Sequence, residues 1–183
     1  MRRFFLLLLF MLYVTTAGIA RAEKADSDKP TNIEADQMAY DDVKQINTFT
    51  GNVVLTRGTL IMHAYKLIVT QDPAGYQYGT ALAAPGKTTM FRQKRDGGPD
   101  LWMEGEAERI EYDGKTEMVK LFSKARLRRL EGSKITDEVE GPFISYDSRA
   151  EFFSVHNTPS GETRSGGSRV KVIIQPRTES RGN

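Results

Sequence analysis

The sequence predicts an all-β fold of short antiparallel strands. Apolar side chains recur with a period of two, turn-forming residues interrupt the runs at short intervals, and one segment returns at a fixed offset along the chain. No stretch longer than two turns carries an apolar stripe at helical spacing.

The alternation is clearest in two places. Phe49, Val53 and Leu55 share one strand face, while Thr48, Thr50, Asn52 and Thr56 fall on the other with Val54. Val119, Leu121, Ala125 and Leu127 share a face opposite Lys120, Lys124, Arg126 and Arg128. This is the pattern of half-buried antiparallel strands. Turn signals stand at Arg57-Gly58, Asp72-Pro73-Ala74-Gly75, Pro85-Gly86, Asp96-Gly97-Gly98-Pro99, Asp113-Gly114, Glu131-Gly132 and Gly141-Pro142. The repeat aligns Glu34–Asp41 with Glu106–Asp113, and the same offset brings Phe49 onto Leu121, Val53 onto Ala125 and Leu55 onto Leu127. Ile144-Ser145-Tyr146-Asp147 is a third echo. Self-similar strand units need neighbours to cover their apolar faces.

The ends of the chain read differently. Arg2 and Arg3, an apolar run from Phe4 to Val14 and an Ala20-Arg21-Ala22 site form the three-part layout of a secretory signal peptide over residues 1–22. Cleavage after Ala22 leaves Glu23 first; an uncleaved run is the alternative, a membrane anchor. Removal of Arg2, Arg3 and Arg21 takes 26 basic residues to 23, against 24 acidic ones. That balance offers no clustered surplus for nucleic acid. Without cysteine the chain has neither disulfides nor a thiolate metal site. Residues 23–30 read as a flexible entry, 31–158 as the β domain, 159–168 as a Gly/Ser linker, 169–175 as a last strand and 176–183 as a disordered tail.

Candidate chemistry is sparse. His63 and His156 lack partners at metal-ligand spacing. Glu104, Glu106 and Glu108 alternate on one strand face, within the reach glycosidase carboxylates need, although acidic alternation of this kind is usually a solvated face. Pro85-Gly86-Lys87-Thr88-Thr89 lacks the first glycine of a phosphate loop, because Ala81 stands there. Neither a nucleotide site nor any cofactor is expected. The basic cluster Lys124, Arg126, Arg128 and Arg129 suits either a phosphorylated glycolipid or a soluble outer face. Phe49, Val53, Leu55, Leu60, Met62, Leu67, Met90, Leu101, Met103, Ile110, Tyr112, Leu121, Leu127, Ile135, Ile144 and Phe153 can line a β interior. The same residues serve a closed core or a groove for acyl chains, whose burial yields about 0.8 kcal/mol per CH₂.

Asp28–Gln37 resembles the opening strand of the LptA/OstA-like family. Thr48–Leu60 is similar to that family's T-F-x-G-N-V-x-V-x-x-G-T-x hairpin, and Gly86–Phe91 to its late K-P-A-T-F segment. The resemblance spans Asp28 to Pro176, with the second T-G-N motif changed to Phe122-Ser123-Lys124. It implies a β-jellyroll of about 12–16 antiparallel strands with an apolar groove along one open edge. It implies a non-enzymatic periplasmic role in carrying lipopolysaccharide through its lipid A part, between an LptC-like inner-membrane protein and an LptD-like outer-membrane protein. Lipid-facing family positions fall on Thr31, Ile33, Met90 and Tyr112. With the alternating rows, the expected lipid-binding set is Thr31, Ile33, Phe49, Val53, Leu55, Leu60, Met62, Met90, Ile110, Tyr112, Leu121 and Leu127. Exposed terminal strands at Thr31, Asn32, Ile33 and Glu34 and at Val170, Val172 and Ile174 are expected docking edges, for partners or for a head-to-tail homo-oligomer. An anchored LptC-like subunit and a periplasmic enzyme acting on glycans or lipid A are the alternatives.

Overall fold

The computed structural model describes Asp26, residues 29–98 and residues 100–176. The expected signal peptide, its expected cleavage site and the tail from residue 177 lie outside the described residues. Among the described residues twelve strands form one antiparallel sheet: β1 (Asn32–Glu34), β2 (Gln37–Asp41), β3 (Ile46–Arg57), β4 (Leu60–Gln71), β5 (Gln77–Leu82), β6 (Thr89–Lys94), β7 (Leu101–Ala107), β8 (Arg109–Asp113), β9 (Met118–Glu131), β10 (Lys134–Asp147), β11 (Phe152–His156) and β12 (Lys171–Ile174). The strand count and antiparallel pairing match the expected jellyroll.

Four long strands organise the rest. β3, β4, β9 and β10 each change neighbours part-way along. Over one half they pair with β2, β5, β8 and β11; over the other half they pair with β1, β6, β7 and β12. Register shifts between Thr50 and Val53 and between Gly141 and Phe143 mark the change. Bulges bend strands and re-aim their faces. The two halves therefore form two layers that face each other. Contacts across the gap confirm it: Arg57 of β3 reaches the Tyr112 ring of β8, and Arg129 of β9 reaches the Phe153 ring of β11.

One margin between the layers is the bent spine of long strands. The opposite margin is lined by hairpin turns, and no strand ladder joins the layers there among the described residues. At the two ends of the sheet, β1 and β2 form one free edge and β11 and β12 the other.

The sequence repeat is a structural one. Asp41, Asp113 and Asp147 each begin a hairpin turn and accept backbone N–H bonds from residues two or three ahead: Lys44, Lys115 and Thr116, and Arg149 and Ala150. Each turn closes on a left-handed residue, Gln45, Glu117 or Glu151. The bulge repeats too. Gly51 and Asn52 take φ of 82° and 45°, and Ser123 and Lys124 take 61° and 51°. The Gly51 carbonyl accepts from the Asp36 amide at 2.9 Å, as the Ser123 carbonyl does from Glu108 at 3.0 Å. Where Asn52 donates to the Asp36 carboxylate, Lys124 makes an ion pair with Glu108 at 2.7 Å. The altered second motif thus keeps its backbone shape with different side-chain chemistry.

The interior is one apolar cluster drawn from both layers, including Val53, Leu67, Ile110, Leu121, Leu127 and Ile144. Leu121 and Ile144, paired across β9 and β10, are each 0% exposed. Burial of each such side chain contributes about 1.5–3 kcal/mol. Asp26 lies within the expected flexible entry. Its carboxylate, in a residue 3% exposed, accepts from the Thr59 amide and hydroxyl and from Gln93. Residues 157–164 also close on themselves, Asn157 bracketing the Arg164 backbone from both sides.

Candidate functional site

The apolar interior between the layers is the candidate site. From β3 and β4 it receives Phe49, Val53, Leu55, Leu60 and Met62; from β8 and β9 it receives Ile110, Leu121 and Leu127. Val53, Ile110, Leu121 and Leu127 are buried, and Phe49, Leu55, Leu60 and Met62 pack against them while partly open. Tyr112 follows Ile110 by two residues on β8 and shares its face. Ile33 enters through its pairing with Leu55. The structure thus brings ten of the twelve expected residues to one interior.

Two fall elsewhere. Thr31 is exposed and precedes β1. Met90 is a correction: it is 40% exposed and lines a shallow outer depression with Thr88, Glu104 and Glu106. Its neighbour Phe91 points inward, because the register sets Phe91 opposite Gly105 and a Cβ there would lie 2.1 Å from the Phe91 ring. β6 has no alternation strong enough to fix its phase, so only pairing with β7 reveals which residue turns in.

The basic cluster also divides. Arg126 and Arg128 stand on the outer face inside a lattice of alternating charge. One row runs Arg92, Glu104, Arg128, Glu138 across β6, β7, β9 and β10, with contacts of 2.7, 3.9 and 2.7 Å. The next runs Glu106, Arg126, Glu140, Lys171, with contacts of 3.5, 2.7 and 3.5 Å. The Arg126 guanidinium holds the Glu140 carboxyl below its ordinary range, and the hydrogen bond from Arg126 to Glu140 raises the arginine. Lys124 is taken by Glu108. Arg129 alone turns inward, its guanidinium carbon 5.3 Å from the Phe153 ring centre.

The carboxylates that could have suggested hydrolysis, Glu104, Glu106 and Glu108, are all engaged by these cations. His63 is exposed, and its carbonyl accepts from the buried Thr89 hydroxyl at 2.6 Å. His156 contacts the Ser154 hydroxyl and the Phe143 ring. Among the described residues no group of three or more His, Cys, Asp or Glu could hold a metal ion. Pro85-Gly86 is a turn, with the Lys87 amide donating to the Ala84 carbonyl.

A sequence profile described as LptA/(LptD N-terminal domain) LPS transport protein matches residues 32–152, from β1 to the start of β11. The chain belongs to this family. Among curated LptA/LptD-type relatives, the lipopolysaccharide export system protein LptA of Haemophilus influenzae is 28% identical over 163 residues, 89% of this chain and 87% of that protein. LptA of Escherichia coli K12 is 36% identical over 121 residues, 64% of each chain. LptH of Pseudomonas aeruginosa is 24% identical over 161 residues. A crystal structure of that LptH, described as the LptA-homologous periplasmic component of the lipopolysaccharide transport device, superposes with a TM-score of 0.70. It is 22% identical, and the match covers 82% of this chain and 99% of that one. That likeness extends to the family's fold.

Proposed function

We propose that the chain is a periplasmic lipopolysaccharide carrier that holds acyl chains between its two strand layers, without catalysis, and bridges inner-membrane and outer-membrane transport complexes. The observation that carries the reading is the convergence of inward rows from both layers on one apolar interior whose turn-lined margin has no closing ladder among the described residues. Such a site binds by burial of chain methylenes and needs no polar contact at its floor. The family match supports the cargo.

The partner surfaces follow from the edges. β1 and β12 are opposite free edges of the same layer, so a second molecule can add its strands to either and continue the sheet. An LptC-like protein on one side, an LptD-like protein on the other, and further copies between are the occupants this geometry suits. Such a heterologous contact need not close into a ring. Secretion through a signal peptide cleaved after Ala22 delivers the domain to the periplasm.

Site-specific photo-crosslinking tests the reading. A photoreactive side chain at Ile33, Leu55 or Tyr112 should capture lipopolysaccharide in cells, whereas one at Arg126 on the outer face should capture far less. Equal capture at all four positions, or none at any, would sink it.

A further inference from the structure

Three arginines cross the turn-lined margin from the layer holding β1, β6, β7 and β12 to its opposite. Arg57 ends β3 and places its guanidinium carbon 5.8 Å from the Tyr112 ring centre. Arg95 follows β6 and makes an ion pair with Glu151 at 3.2 Å, its side chain only 16% exposed. Arg129 lies over Phe153 and extends Nη2 to the Glu151 carbonyl at 3.5 Å. In all three the Nε is buried and has no hydrogen-bond partner. A guanidinium carries five donors and no acceptor, and a buried donor left unmatched is unfavourable.

Glu151 is the carboxylate paired with Arg95. Asp137, opposite Arg129 in the β9–β10 register, accepts from the Thr136 hydroxyl at 3.3 Å. The outer arginines are the contrast, since Arg126 and Arg128 each meet two or more glutamates. In the order β3-β4-β6-β7-β9 the three margin arginines stand about two strands apart, roughly 10 Å between neighbours.

We propose that Arg57, Arg95 and Arg129 form an anion clasp along the groove mouth that takes the phosphates of a glycolipid headgroup while its acyl chains lie beneath. The inference rests on the lipid-groove reading above. Phosphate oxygens match the guanidinium fork, and donors already withdrawn from water give up little further hydration on meeting them. The Tyr112 and Phe153 rings hold two of the cations by cation–π contact. Glu151 occupies Arg95 when the groove is empty and is displaced by the stronger anion. A row of spaced cations suits a cargo with more than one phosphate.

The test compares two lipids with the same acyl chains, bisphosphorylated lipid A and its dephosphorylated form, in detergent micelles with the purified protein. Arg57→Gln/Arg95→Gln/Arg129→Gln should weaken binding of the bisphosphorylated lipid by roughly tenfold or more and leave the dephosphorylated one unchanged. Arg126→Gln/Arg128→Gln should change neither. Equal losses for both lipids would make the margin arginines purely structural, and no loss for either would remove the clasp while leaving the groove intact. Failure of the unmutated protein to bind either lipid would instead overturn the groove reading. Release of bound lipid by millimolar inorganic phosphate would assign the site to the free ion. If the triple variant does not fold, Glu151→Gln carries the test: it should tighten binding of the bisphosphorylated lipid selectively, and unchanged or weaker binding refutes the clasp.

Discussion

Substitution of Gly51 by alanine probes the bend that makes two layers from one sheet. Gly51 sits at φ 82°, where an L-residue is disfavoured by about 1–2 kcal/mol. A Cβ there would lie 2.2 Å from Asp36 Oδ2 and 2.9 Å from Asp36 Cβ. Asp36 must therefore move, which breaks its bond with Asn52, about 1 kcal/mol for an exposed contact. The smaller conformational freedom of unfolded alanine returns about 0.5 kcal/mol. Gly51→Ala should accordingly cost about 2 kcal/mol in urea unfolding followed by fluorescence of the single tryptophan, Trp102. In an Asp36→Gly background, which removes both the carboxylate and the Cβ, only the backbone term at Gly51 remains, so the cost should fall to about 1 kcal/mol, a coupling measurable by a double-mutant cycle. Ser123→Ala, at the repeated position where a side chain already occupies φ 61°, should lie within about 0.5 kcal/mol of the parent. Strict additivity, or a Gly51→Ala cost below about 0.5 kcal/mol, would refute the account of the bend.

Two further outcomes follow from the outer face and the terminal edge. Glu140 has its folded pKa lowered by Arg126, so its contribution is complete above the unfolded value of about 4.3 and is lost as pH falls through the lower folded value. The parent should exceed Glu140→Gln in unfolding free energy from urea titration at neutral pH, by about 1 kcal/mol or less for a pair this exposed, and the gap should close in acid. A gap of constant size from neutrality into acid contradicts the assignment. At the edge, Ile174 is 74% exposed on β12, and Ile174→Lys should abolish any head-to-tail assembly in light scattering while leaving lipid capture at Leu55 unchanged. Assembly that survives the charge moves the interface elsewhere.

Strand identity and most inward rows were legible because period-two patterning records the face of each residue directly. The hairpin turns were legible too, since Asp41, Asp113 and Asp147 carry their own hydrogen-bonding chemistry. Phase was harder. On β4 the inward residues run Leu60, Met62, Ala64 and then Leu67, a parity change set by the bulge on β3 rather than by β4 itself. Met90 and Phe91 are both apolar, and Gly105 on another strand decides between them. Arg129 was grouped with its basic neighbours by sequence proximity, although strict alternation from Leu127 sends it inward. Arg57 and Arg95 were invisible as site residues, because the contacts that define their place join strands far apart in the chain.

On the carrier reading proposed above, the turn-lined margin makes the interior a slot rather than a tube. A tube must admit its cargo end first, which would drag sugars and phosphates through an apolar bore at great desolvation cost. A slot takes the cargo sideways, with the tails inside and the charged head riding in water for the whole passage. Handover between molecules then needs only that two slots line up; the hydrophilic part never crosses a barrier, and its size and sugar content place no limit on the width of the path.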